Sequence, residues 1–245
     1  MMLPIRDHNP SEATPFVTLA LIGVNIFVYL WGLAMLQTDQ QLGQFYFDYA
    51  LIPVLLSDGQ NASALVTSIF LHGGFFHLAG NMLFLWIFGD NMEEEMGHLP
   101  FLAFYLICGI GASLAQYIGD PLSQIPMVGA SGAIAGVMGG YLLLFPKARV
   151  DIFVFIIIFF RILPIPAWIL LGLWFGIQVL GGLAVDSSQG GVAYWAHAGG
   201  FVLGLALTIP LWLRRGAGAY WQRTDGHPPH PEARYRRSAV PLVRR

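Results

Sequence analysis

Charged residues are scarce: Asp, Glu, Lys and Arg together make up 11% of the 245 residues, against roughly 25% in ordinary soluble domains. With 56% of the chain hydrophobic, that shortage excludes a soluble fold. A net charge of −2, with no clustered basic face on a soluble body, excludes nucleic acid as a partner. The single cysteine, Cys108, lies in an apolar stretch, which excludes an intrachain disulfide and a cysteine-based metal cage and leaves the redox compartment unread. No period of 20–50 residues marks a repeat array.

What is abundant is uncharged apolar sequence. The windows Phe16–Leu36, Phe101–Tyr117, Ala130–Phe145, Ala167–Val185 and Ala193–Leu213 hold no Asp, Glu, Lys or Arg and read as membrane spans. A further apolar window, Phe75–Phe88, is short, but uncharged Ser68–Gly74 extends it toward the ~20 residues a crossing needs. The spans are then Phe16–Leu36, Ser68–Phe88, about Leu99–Ile118, Val128–Phe145, Ala167–Val185 and Ala193–Leu213, six in all. Ile152–Phe160 is intensely apolar but lies between Asp151 and Arg161, too short for ~30 Å of hydrocarbon, and reads as interfacial or as a lead-in to span five. The expected fold class is an all-α polytopic membrane protein, a six-transmembrane-helix bundle.

Residues 1–15 read as a cytoplasmic tail without the pattern of a cleaved signal or an Arg-rich transit peptide, 16–213 as the membrane domain, and 214–245 as a basic, disordered cytoplasmic tail whose arginines can touch anionic lipid. Of the 12 Lys and Arg, Arg6 precedes span one, Lys147, Arg149 and Arg161 lie between spans four and five, and the rest follow span six. The positive-inside rule then places both termini in the cytoplasm. The 38–70 connection, with Tyr46, Phe47, Tyr49 and Leu51–Leu56, reads as an element lying in the outer interface.

Polar side chains within spans are costly, so each invites a functional reading beside a structural one. With this topology His77 and Asn81 on span two, Ser131 on span four and His197 on span six all fall within about one or two turns of the outer mouth, at 1.5 Å per residue. Ser131, at a helix start, can serve as a nucleophile where free N–H groups favour a developing anion. It can equally be one member of a packing stripe, because Gly132, Gly136 and Gly140 recur every four residues. His197 can be a general base, a proton relay or a satisfied packing residue. Gly200 and Gly204 share its face, and that stripe can meet the glycine stripe of span four closely enough to bring the imidazole to the serine.

His77 and Asn81, four apart, can complete an oxyanion hole with the Ser131 amide or merely bond loop carbonyls. Asp120 and Asp186 fall in outer loops, Asp90 and Asp151 on the cytoplasmic side, so any catalytic group is a Ser–His dyad. Asn25, Gln116 and Gln178 read as interhelical hydrogen-bond partners, Trp86, Trp168 and Trp174 as packing or interface anchors, and Cys108 as a small buried residue.

These residues together resemble the rhomboid intramembrane serine proteases. The similarity runs from about Ser68 to Arg214 through His77-x-x-x-Asn81, Gly129-Ala130-Ser131-Gly132 and Ala196-His197-x-x-Gly200-x-x-x-Gly204, with Gly89, Glu93 and Gly97 resembling the family's connection between spans two and three. The resemblance implies the six-helix form of the fold, a Ser131 nucleophile, a His197 base, oxyanion contacts from His77, Asn81 and the Ser131 amide, and a structural Glu93. It implies substrates that are transmembrane proteins entering sideways, a lipid bilayer as the other partner, and no metal or cofactor. Two departures stand out. Ala135 occupies the position where many members carry an aromatic residue that stacks on the histidine, so another group must hold the imidazole, and the 38–70 connection lacks the family's Trp-Arg pair.

The reading is an intramembrane serine endopeptidase in a bacterial-type plasma membrane, its site opening outward. Its rivals are an inactive rhomboid-like binding factor, which would lack the serine or histidine, and a small transporter using Asn25, Gln178 and His197, which would show inverted repeats or broken spans.

Overall fold

The computed structural model describes residues 2–156, 159–184, 191–231 and 233. Asp186 lies outside them. The chain is mostly helical, in the order β1 (Met2–Asp7), α1 (Phe16–Met35), α2 (Asp39–Tyr49), α3 (Pro53–Ser57), α4 (Ala64–Thr67), a 3-10 turn (Ser68–Phe70), α5 (Phe75–Met96), α6 (His98–Gly119), α7 (Ser131–Leu144), β2 (Arg149–Ile156), β3 (Phe159–Pro166), α8 (Ala167–Ala184), α9 (Tyr194–Arg214) and α10 (Gly218–Thr224).

Four of these helices, α1, α6, α8 and α9, are long and apolar enough to cross a membrane, and the pair Ala64–Phe70 and Phe75–Met96 makes a fifth candidate if counted as one bent span. The protein is an integral membrane protein. The pair is bent by 94°, so the expected uninterrupted extension of span two through Ser68–Gly74 is corrected to a sharp corner. Gly73 and Gly74 stand at that corner with nothing near a would-be Cβ. Span four is also shorter than expected. Helix α7 begins at Ser131 rather than Val128 and has 14 residues, about 21 Å at 1.5 Å each.

The all-α expectation is corrected by a three-stranded antiparallel sheet, β1-β2-β3. The apolar run after Arg149 pairs as a hairpin, Val150 against Ile165 and Ile152 against Leu163, with Met2–Asp7 added along β2. Short apolar runs without 3.6-residue periodicity suit strands as well as buried helix, and the β-branched content here favours strands. The beginning of the expected disordered tail is likewise ordered: α10 lies against the end of α7, Trp221 Nε1 donating to Leu143 O at 3.0 Å and Lys147 N to Gly226 O at 2.8 Å. Asp151 joins the sheet to the N-terminal segment, accepting from Arg6 Nε at 2.7 Å and His8 Nε2 at 2.9 Å. Burial works against its ionisation, but those two hydrogen bonds and the neighbouring positive charge outweigh it and hold the carboxyl below its ordinary 3.8.

Glu93, 1% exposed, closes the other join at this end. It reaches from α5 to the first turn of α1, accepting from Val17 N at 2.9 Å and from Thr18 N and Oγ1 at 2.7 Å. That satisfies N–H groups which no intrahelical carbonyl can reach. Glu93 is structural, as its sequence context implied.

Helix α7 is the buried centre, with α5, α6 and α9 packed around it. Its contact with α9 is made by glycine. A Cβ on Gly200 would fall on Gly132 O, one on Gly204 on Gly136 O, and one on Gly139 on Phe201 O. The two backbones touch directly, as stripes of small residues permit in membranes. Gly204→Val should therefore destabilise the protein by about 1–3 kcal/mol or more, because the obstacle is backbone that cannot rotate away. Gly23→Ala on α1, where a Cβ meets nothing, should be neutral or gain up to about 1 kcal/mol. Denaturant unfolding in detergent micelles measures both; equal effects would mean that the contact is looser than described.

Candidate active site

The loop before α7 is held on both sides. Leu51 and Met127 exchange backbone hydrogen bonds at 3.0 and 2.8 Å, and Gly129 N donates to Ser68 O at 2.9 Å. Gly129 has φ +133°, a conformation that side-chain-bearing residues rarely adopt. This turn delivers Ser131 to the first position of α7, where the leading N–H groups have no intrahelical acceptor and the helix dipole is positive.

Across the glycine contact, His197 lies in the first turn of α9 with its Nε2 2.7 Å from Ser131 Oγ. Its Nδ1 lies 2.8 Å from Gln178 Oε1 on α8. The Trp174 ring, one turn before Gln178, is tilted 33° to the imidazole with centroids 5.7 Å apart. Gln178 and Trp174 are thus the groups that hold the ring in place of the aromatic residue missing at Ala135. From sequence Trp174 reads as packing or an interface anchor and Gln178 as an interhelical hydrogen-bond partner; what the sequence does not name is His197 as the partner of either. Gln116 fixes the start of α9, its Oε1 accepting from Ala196 N at 3.2 Å, while Asn25 donates to Leu21 O on its own helix at 2.7 Å.

His77, on α5, stands over the turn: a Cβ on Gly129 would lie 2.8 Å from its Cε1 and Nε2 and 3.5 Å from Ser131 Oγ. Asn81 is buried one helical turn on, and its Nδ2 donates to His72 Nε2 at 2.9 Å. His72, 6% exposed at the corner before α5, packs edge-on against His77 with centroids 5.1 Å apart. Sequence reasoning missed it, because Ser68–Gly74 counted as span extension. The Leu71-His72-Gly73-Gly74 string, a polar residue before paired glycines, is the signal that could have found it.

Among the described residues no three His, Cys, Asp or Glu side chains converge as a metal cage would. The chemistry available is that of a hydroxyl beside an imidazole at a helix N-terminus, with His77 at its edge. The rhomboid domain family matches residues 59–214, well over half of the chain. The chain belongs to the rhomboid family. Rhomboid protein 1, mitochondrial, of Saccharomyces cerevisiae is 32% identical over 197 residues, 76% of this chain and 50% of that protein. RHOMBOID-like protein 4 of Arabidopsis thaliana is 35% identical over 176 residues, 70% of this chain and 40% of its own length. The human presenilin-associated rhomboid-like protein, mitochondrial, is 30% identical over 148 residues, 59% and 37% of the two chains. This rhomboid chain thus spans half the length or less of these relatives.

The match takes in the corner before α5, the Gly129 turn and the start of α9. Gly129→Ala should slow labelling of Ser131 by a fluorophosphonate about tenfold or more, since the new Cβ strains the turn and displaces the His77 ring. Wild-type labelling of the folded variant would mean that turn and ring can separate without consequence.

Proposed function

We propose that this rhomboid is an intramembrane serine endopeptidase that cuts transmembrane proteins in or near their spans by a Ser131–His197 dyad within a six-helix bundle in which α7 is the fourth helix. The observation that carries the reading is the 2.7 Å approach of Ser131 Oγ to His197 Nε2 at the N-terminus of α7. Ser131 attacks the scissile carbonyl, and His197 takes the hydroxyl proton and passes it to the leaving amine. Water, activated by the same imidazole, then hydrolyses the acyl-enzyme. The oxyanion is received by the Ser131 amide, His77 and the second N–H of the Asn81 amide, whose first is directed at His72. No step calls on a metal or cofactor.

The end of the bundle opposite Ser131 holds Arg6, Lys147, Arg149, Arg161 and Arg214. By the positive-inside rule this is the cytoplasmic side, with both termini there, and the site opens to the outer face of a bacterial-type plasma membrane. The yeast and human relatives are named as mitochondrial. Substrate helices reach the dyad sideways from the bilayer, and water comes from the open mouth.

Ser131→Ala should abolish cleavage of a membrane substrate in detergent or liposomes, a loss on the order of 10⁶ where the nucleophile of a serine protease is removed. It should leave unfolding unchanged, because alanine fits the same stripe. Cleavage retained by that variant would overturn the assignment. His77→Ala and Asn81→Ala should each lower kcat more than they raise KM. One lost oxyanion donor costs about 10²–10³-fold, less where others share the load, so the double variant should fall furthest. Wild-type kcat in the double variant would remove both residues from the site.

A further inference from the structure

We infer that Gln178 is a positioning residue that sets the tautomer of His197, so that the docking of α8 on α9 decides whether Ser131 is activated. This rests on the dyad reading above. Trp174 and Gln178, four residues apart, share the face of α8 that meets His197. Gln178 is 6% exposed, and its side-chain amide has both ends occupied. Its Nε2 lies 3.3 Å from Trp174 O, a backbone carbonyl that can only accept. The NH₂ group must therefore face Trp174, and the amide oxygen must face His197.

The rest follows from complementarity. Gln178 Oε1, 2.8 Å from His197 Nδ1, can only accept, so Nδ1 carries the proton. A neutral imidazole protonated at Nδ1 has its lone pair on Nε2, which is the atom 2.7 Å from Ser131 Oγ. The serine O–H donates to it, the arrangement a general base requires. Reversing the tautomer would make Nε2 a donor to the serine oxygen and leave Nδ1 and Gln178 Oε1 as two acceptors in contact. Trp174, its ring tilted 33° to the imidazole with centroids 5.7 Å apart, crowds the rotation that would exchange the nitrogens. Both restraints come from α8, whose other face carries exposed Leu173, Ile177, Leu180 and Leu183. A displacement of α8 would release the histidine without touching Ser131.

The test uses Gln178→Leu, which keeps much of the volume but not the acceptor, and Gln178→Glu, which restores an acceptor with charge. The groups facing His197 are Ser131 on α7, Gln178 and Trp174 on α8 and, as the nearest other titratable group, His77 on α5. A carboxylate at position 178 would then be the one anion beside the ring among these. Loss of the orienting carboxylate in a soluble triad costs about 10⁴ in kcat. A neutral acceptor stabilises the imidazolium less, so Gln178→Leu should lose about 10–10²-fold in kcat with KM little changed. Gln178→Glu should keep most of kcat, because the neutral acid donates its O–H to Trp174 O and offers the same acceptor to Nδ1, and the fraction that ionises moves the acid limb of kcat/KM to higher pH, because an anion favours the protonated ring.

A role confined to packing would give Gln178→Leu and Gln178→Glu similar kcat, because only the acceptor distinguishes them. Wild-type kcat in Gln178→Leu, or an equal loss in Gln178→Glu, would overturn the inference. If Gln178→Leu fails to fold, the tautomer of the wild-type His197 ring decides. Nitrogen-15 NMR of the His197 ring in the intact protein separates this failure from failure of the protease reading. Nδ1–H in the wild type, lost or mixed in Gln178→Leu, supports the positioning role even if no substrate is cut, and an Nε2–H wild type refutes it even if Ser131-dependent cleavage is found.

Discussion

The direct backbone contact between α7 and α9 is the constraint on which the rest depends. In lipid no hydrophobic force drives two helices together, because the tails are as apolar as leucine. What remains is dispersion over a close approach, and here Gly132, Gly136 and Gly139 meet Ala196–Leu205 without intervening side chains. A serine side chain reaches about one bond beyond its Cβ, and an imidazole only a little further. Two helices separated by leucines would leave Ser131 and His197 out of hydrogen-bond range. The same glycines that make a packing stripe therefore set the chemistry, and the structural and functional readings of that stripe are one reading.

The shortness of α7 complements this contact. At about 21 Å the helix is shorter than the ~30 Å hydrocarbon core, so in the proposed six-helix bundle its N-terminus lies below the level at which a full span would end. Non-helical backbone at that depth is tolerated only where it is buried in protein or lines a polar cavity. The loop before Ser131 meets that condition through its bridges to Leu51 and Ser68. At the far end Glu93, Asp151 and α10 tie the termini and the sheet to the helices, so the α7–α9 contact is held by a bundle braced at its other end.

The parts legible in the sequence are those that a single helix or a fixed spacing determines. Uncharged windows mark α1, α6, α8 and α9 because hydrocarbon excludes charge residue by residue. The approach of Ser131 to His197 was legible because glycines four apart define one face whatever its neighbours are. The sheet was not: Ile152–Phe160 has no period, its β-branched content is only a preference, and the strand is fixed by pairing with Phe159–Pro166 and with Met2–Asp7, more than a hundred residues away. The corner at Gly73 and Gly74 hid His72 because absence of charge, which marks a span, does not distinguish a straight one from a bent one; the paired glycines are the sign of the bend. Gln178 was legible as an interhelical hydrogen-bond partner, but not as the partner of His197, because that depends on the rotation of α8 about its own axis. Trp174 and Gln178 lie on one face, but an amide on a helix face says nothing of which neighbour it meets.

That the acceptor on His197 is an amide follows from where it sits. An aspartate or glutamate at position 178 would hold a full negative charge in a site 6% exposed between two membrane helices. Charge in such a place is costly unless it is paired and fully hydrogen-bonded. The amide avoids that cost, satisfies its own NH₂ on Trp174 O, and still offers one oriented lone pair to Nδ1. In the mechanism proposed above, what it gives up is electrostatic stabilisation of the imidazolium formed as the serine attacks. Geometry would make up part of the difference: the ring is held at both nitrogens with the Trp174 ring beside it, so little reorganisation would separate the resting site from the reacting one. A membrane site can in this way orient its base without a buried anion, provided the helix that carries the amide stays docked.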